Sequence, residues 1–145
     1  MMRINFTIPG PPKGKARART AGGHQYTPAP TVQYENLVKM CCKGAMGALS
    51  PSQDMIAISI VAYFPIPKSA SKKKRGYMLV GNLRPTSKPD LDNIMKIICD
   101  ALNQIAYRDD AQVVGGYLTK WYSDTPRVEV EIVDGLGSVV EDYGK

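Results

Sequence analysis

The hydrophobic pattern of this chain predicts an α/β fold of the α+β type, with a mixed β-sheet and two main helices packed on it. Apolar residues alternate with polar ones near the start and again near residue 130, as in half-buried strands. They recur at helical spacing between Asn93 and Tyr107. The resulting order, β, α, β, α, β, β, contains no internal repeat. With 145 residues, 43% of them hydrophobic and 22% charged, the composition is that of one globular domain spanning 1-145.

The first strand covers Arg3 to Ile8, with Ile4, Phe6 and Ile8 on one face, and Pro9-Gly-Pro-Pro12 ends it. The stretch from there to Pro30 holds turn residues and no hydrophobic period, so a flexible basic loop is expected near 11–29. Thr31 is placed to cap a helix reaching about Leu49, with Leu37, Val38, Cys41, Ala45 and Ala48 on one stripe and Ser50-Pro51 as the stop. Met55 to Phe64 is nearly all apolar, which predicts a central strand covered on both faces. Residues 66–88 mix Lys, Ser, Gly and Pro and read as a second flexible basic arm. In the helix from Asn93 to Tyr107, Ile94, Ile97, Ile98, Ala101, Leu102 and Ile105 form the core stripe, while Asn93, Lys96, Asp100 and Asn103 face water. Val113 to Tyr122 and Arg127 to Val133 are strands joined by a Ser-Asp-Thr-Pro turn, a hairpin in which Trp121 and Tyr122 pack. A frayed acidic tail follows Asp134.

Charge is distributed unevenly. Residues 1–89 carry fourteen Lys and Arg against two acids, Glu35 and Asp54, a balance of +12; residues 90–145 carry five against eleven, or −6. Such a cationic region attracts a polyanion, because phosphates release counterions when Lys and Arg bind them. The apolar run at Met55 to Phe64 is half the length a membrane-spanning helix needs, so no membrane partner is expected. The opening residues lack the basic and apolar regions of a secretory signal. Cys41, Cys42 and Cys99 give no disulfide or metal-finger spacing and read as core packing. These features together suit a reducing, cytoplasmic location.

The acidic residues are the best candidates for chemistry. Asp90 and Asp92 flank a helix entrance in Pro89-Asp-Leu-Asp-Asn93, and Asp109-Asp110 leave the far end of the same helix. Clustered carboxylates offer oxygen ligands to a hard divalent ion such as Mg²⁺, which suits phosphodiester hydrolysis. Lys96, four residues after Asp92, shares its helical face and can offset charge on a phosphate. Spacing alone leaves other readings open: Asp92 as a helix cap paired with Lys96, and Asp109-Asp110 as a turn. A straight helix of about fourteen residues would also hold the two clusters about 20 Å apart. Convergence therefore requires a shorter helix, a bend, or a second subunit.

Pro89-Asp-Leu-Asp-Asn93, Lys96, Asp100-Ala-Leu102 and Asp109-Asp-Ala-Gln-Val113 resemble the RusA family of Holliday-junction resolvases, endodeoxyribonucleases frequently encoded by phages and prophages. An opening strand leading into Ile8-Pro-Gly-Pro-Pro12 and a basic loop extends the likeness over most of the chain. The resemblance implies that Asp90, Asp92 and Asp110 bind Mg²⁺, with Asp109 as a further possible ligand and Mn²⁺ able to substitute, and that Lys96 is the catalytic lysine. It also implies a homodimer that nicks symmetry-related strands of a four-way DNA junction in recombination and repair. Lys13, Lys15, Arg17, Arg19, Lys68, Lys72, Lys73, Lys74, Arg75 and Lys88 would then contact DNA, positioning it without base readout. The Lys72-Lys-Lys-Arg75 run and the acidic tail are not matched in the family pattern. The rivals to this reading are a broader flap or fork nuclease, a non-catalytic nucleic-acid-binding module, and a subunit of a phage replication complex.

Overall fold

The computed structural model describes residues 1–135, so the tail beyond Gly135 lies outside the described residues. A four-stranded mixed sheet carries α-helices on one face, as the order of periods predicts. Its strands are β1 (Arg3–Pro9), β4 (Ile56–Pro65), β5 (Val113–Ser123) and β6 (Arg127–Asp134), in the spatial order β1-β6-β4-β5. β2 (Arg19–Ala21) and β3 (His24–Tyr26) form a separate small hairpin. The helices are α1 (Ala29–Met46), α2 (Lys72–Leu79) and α3 (Leu91–Leu102).

The core lies between the sheet and helices α1 and α3. β6 pairs antiparallel with both β1 and β4, so Ile132 lies opposite Ile4 on one side and Ile58 on the other, and all three are buried. Ile94, Ile97, Ile98, Ala101 and Leu102 of α3 are fully buried, as the helical period requires. The expected stripe on α1 is rotated. Thr31, Tyr34, Val38, Cys42 and Met46 are buried, whereas Leu37 and Cys41 only edge the core. Thr31 is thus a core residue and not the cap; Pro28 occupies the cap position, and Gly47, at φ 57°, ends the helix before Leu49.

Four further expectations are corrected. β5 and β6 do not form a hairpin, because β4 lies between them, parallel to β5 and antiparallel to β6. β4 is central but covered on one face only: Ile58, Ile60 and Ala62 are buried, while Ser59 on the opposite face is exposed. The 11–29 loop contains the β2–β3 hairpin, whose Gly22-Gly23 turn has φ of 58° and 80°, the two positive angles that a two-residue turn requires. The 66–88 arm contains α2, where the Ser71 hydroxyl accepts a hydrogen bond from the Lys74 amide at 3.2 Å and so caps the helix.

The arm is also fastened to β5, the edge strand. Arg75 pairs with Asp124, the Arg84 guanidinium lies 3.9 Å above the Trp121 ring, and Lys120 donates to the Ser87 carbonyl at 2.8 Å. Gly81 packs so closely on Trp121 that a Cβ would come within 2.7 Å of a ring carbon, and its φ of +84° further disfavours a side chain. Gly81→Ala is therefore expected to destabilise the fold by about 1–3 kcal/mol. Urea unfolding and limited proteolysis would check this, with faster cleavage expected within residues 66–88 of the variant.

Candidate active site at the exposed face of α3

The site is built on α3 and on the segment that returns after it. The Lys88-Pro89 peptide is cis, and Asp90, with extended backbone angles, is the N-cap residue of α3 although its side chain makes no capping hydrogen bond. Asp92 lies in the first turn, so the acid at the cap position is Asp90. Negative charge there is favoured by the helix dipole. Asp92, Lys96 and Asp100 recur every four residues and form one row along the helix, about 6 Å apart in axial rise. Asp90, Asp92 and Lys96 are exposed, and Asp100 is partly buried.

The twelve-residue helix ends sooner than the sequence period suggests, and the chain reverses at once. Gln104 adopts a positive φ of 66°, its amide donates to the Tyr107 carbonyl at 2.7 Å, and the buried Tyr107 hydroxyl donates to the Cys99 carbonyl at 2.7 Å. Burial, followed by its neighbours Cys99, Asp110 and Asp100, holds the Tyr107 phenol well above its ordinary pKa. A short 3₁₀ turn, Asp110–Gln112, follows, capped by Asp109: its carboxylate accepts from the Ala111 amide at 3.1 Å, and Gln112 reaches back to the Asp109 amide at 2.9 Å. Asp109 is thus a cap in a turn, but that turn brings Asp110 within electrostatic reach of Asp100 and Lys96.

The two adjacent acids respond oppositely. The Asp110 carboxyl is raised above the ordinary aspartate value, chiefly by its hydrogen bond with Asp109 and then by slight desolvation and the charges of Asp109 and Asp100, while Lys96 acts the other way. Asp109 is lowered, first by the Ala111 amide and then by Asp110. Two exposed carboxyls sharing a hydrogen bond are the arrangement a cation would relieve. The donor set is all oxygen, which fits a hard divalent ion in chemistry. Among the described residues, however, no three His, Cys, Asp or Glu side chains are gathered into a cluster that could hold a metal. Asp110 feels the charges of Lys96 and Asp100, which lie about one and two helical turns beyond Asp92.

An open groove of about 400 Å³ adjoins the start of α3, lined by Lys13, Lys15, Lys88, Asp90 and Asn93 among others. Lys13 and Lys88 are exposed there, whereas Lys15 is not a free cation: its ammonium lies 3.0 Å from Glu35 and 3.4 Å from Asp100. Burial opposes its charge, but the Glu35 hydrogen bond and the attraction of both acids raise its pKa overall. Arg17 is exposed in the loop and Arg19 lies in β2. Lys68 precedes α2, and Lys72, Lys73 and Lys74 are exposed on it, while Arg75 is engaged by Asp124. The basic residues therefore divide between the groove and the α2 arm. Sequence reasoning missed Glu35 and Asp100 as partners of Lys15, although Asp100 stands one helical step beyond Asp92 and Lys96.

Because Asp109 is the main cause of the Asp110 shift, Asp109→Asn is expected to lower the Asp110 pKa toward the ordinary aspartate value. A carboxyl-carbon NMR titration in chelator, free of divalent metal, checks this; an unchanged Asp110 titration would refute the pairing.

A family model for the endodeoxyribonuclease RusA matches residues 9–133. The chain is also 38% identical over 143 residues to an uncharacterized protein of Bacillus subtilis (strain 168), YqaN, covering 89% of this chain and 94% of that protein. Among the described residues, no helix is long and apolar enough to cross a membrane. A match over this span, together with a mixed sheet that carries Asp90, Asp92, Lys96 and Asp110 on α3 and its return, establishes that the chain belongs to the RusA endodeoxyribonuclease family.

Proposed function

We propose that this protein is a Mg²⁺-dependent, structure-selective endodeoxyribonuclease that resolves four-way DNA junctions by paired symmetrical nicks. The reading places it as a homodimer in the cytoplasm, serving recombination and repair, with a prophage origin. The observation that supports it most is the match to the RusA endodeoxyribonuclease family over residues 9–133, which spans Asp90, Asp92, Lys96 and Asp110, with Asp90 set on an open, lysine-flanked groove.

Asp90, Asp92 and Asp110, assisted by Asp109, would hold the ion, with Mn²⁺ able to replace Mg²⁺. Such an ion, when bound, polarises a phosphoryl oxygen and lowers the pKa of an attacking water. Lys96 offsets the charge that grows on the phosphate during attack. Lys13 and Lys88, on the groove, hold the DNA backbone near Asp90. Arg17, Arg19, Lys68 and Lys72 to Lys74 add affinity that is independent of sequence and falls with salt. A twofold-symmetric junction matches a dimer that presents the same surface twice.

The test is cleavage of a synthetic four-way junction, a flap and a plain duplex at equal concentration, with and without Mg²⁺. Paired nicks confined to the junction and dependent on the metal are expected. Asp92→Asn should reduce their rate by about 100-fold or more while leaving junction affinity within a few fold. Equal cutting of all three substrates would sink the junction assignment. Salt-sensitive binding with no nicks under any divalent ion would instead mark a non-catalytic DNA-binding protein.

A further inference from the structure

The loop that precedes β2 was expected to be free to move onto DNA, yet its first residues are pinned to α3. The Lys15 amide donates to the Asn93 carbonyl at 3.1 Å, joining the loop to the first turn of the helix between Asp92 and Lys96. Gly14 sits against the same turn, and a Cβ there would lie 2.9 Å from the Pro89 Cβ and 3.1 Å from the Asn93 Cβ. The Lys15 side chain, 20% exposed, then runs to Glu35 on α1 and to Asp100 on α3. Three separate contacts thus converge on two consecutive residues of the loop.

We propose that the Gly14-Lys15 step is a clamp that fixes the opening turn of α3, and that Lys15 is a positioning residue held by Glu35 and Asp100, not a phosphate contact. The assignment rests on the nuclease reading given above for its catalytic consequence, but the clamp itself does not. An ammonium offers three donors, and two of the directions here are taken by carboxylates from different helices. Releasing Lys15 for DNA would leave Glu35 and Asp100, both largely shielded from solvent, without their cation. Held in place, Lys15 compensates Asp100, which otherwise adds like charge beside Asp110. The backbone bond at Asn93 meanwhile sets the turn that presents Asp90 and Asp92. A small displacement of such groups has large kinetic effects, because reaction rates depend steeply on alignment.

Glu35→Gln separates the two roles of Lys15. If Lys15 bound phosphate, removing a neighbouring acid would leave junction binding equal or tighter and would not slow cutting. As a clamp partner, Glu35→Gln should slow junction nicking by about tenfold or more. Junction affinity should stay within about twofold, and the dependence of affinity on salt should not change. Lys15→Met should behave the same way, whereas loss of a phosphate contact would reduce the logarithmic salt slope by about 0.9. Hydrogen exchange in the DNA-free, metal-free protein tests the clamp independently: Lys15 amide protection should fall by about tenfold in Glu35→Gln while Ile98 protection is retained. Unchanged Lys15 protection would overturn the clamp. With an active wild type, unchanged nicking by Glu35→Gln, or a reduced salt slope for Lys15→Met, would overturn the positioning role. A wild type that cuts nothing would defeat the nuclease reading alone, leaving the exchange result to decide the clamp.

Discussion

The location of Asp110 depends on the reversal of the chain after α3. A buried tyrosine anchors that reversal: Tyr107 is fully enclosed, and its hydroxyl is satisfied by the Cys99 carbonyl one turn inside the helix. A buried phenol without that acceptor would carry an uncompensated desolvation cost, so ring burial and hydrogen bond stabilise the same geometry. Backbone pairing across the loop after α1 reinforces it, as Ser52 donates to the Ala106 carbonyl at 2.9 Å and accepts from the Arg108 amide at 3.3 Å. With Tyr107 fixed, only Arg108 separates it from Asp109, and the capped 3₁₀ turn that carries Asp110 packs against the helix the chain has just left. The turn that carries Asp110 thus returns to α3 within one chain, although among the described residues Asp90, Asp92 and Asp110 are not gathered into one cluster.

A second restraint acts at the other end of the same helix. Gly14, Lys15 and Asn93 tie the loop to the opening of α3, while Glu35 connects that joint to α1. α3 is consequently held at its start by a loop, along one side by the sheet, and at its end by Tyr107. Its exposed row of Asp92, Lys96 and Asp100 is a rigid platform even though each of these side chains meets solvent or its edge. Rigid placement matters most for groups that must act on a phosphate, since their effect depends on alignment.

Much of this could be read from the residues, and the failures have identifiable causes. The α3 stripe was legible because five large or fully buried apolar residues repeat with one period and no competing signal. On α1, small and sulfur-containing residues line both candidate stripes, so Cys41 and Cys42 could not be phased until the sheet selected Cys42, whose thiol burial pushes up to about 11. The β5–β6 pair looked like a hairpin because the turn between them is short; strand insertion by β4 is a long-range pairing that no local spacing records. α2 was hidden by its composition, four cations in succession with no buried face, and only Ser71 signalled a cap. The four acids and Lys96 were legible as a motif, but the proximity of Asp110 to Lys96 and Asp100 depends on Gln104 taking a positive φ, a conformation uncommon for that residue type.

The charge imbalance of the sequence takes on a narrower meaning in three dimensions. Lys15, Arg75, Arg84 and Arg127 are engaged within the fold, by Glu35 and Asp100, by Asp124, by Trp121 with the Lys120 carbonyl, and by Glu129. These cations stabilise loops and edges and are not part of a uniform DNA-attracting field. Lys13, Arg17, Arg19, Lys72, Lys73, Lys74 and Lys88 are exposed and make no ion pair among the described residues. Of the acids, Glu129 lines the uncovered sheet face together with Glu131, opposite to the face that carries α3. Both of these acids are paired, Glu129 with Arg127 and Glu131 with Arg3, so the unpaired cations lie instead on the lysine-flanked groove and the α2 arm. The charge division that the sequence shows at residue 90 thus becomes, in the folded protein, a meeting of opposite charges at the start of α3, where the unpaired Lys13 and Lys88 flank Asp90 on one groove.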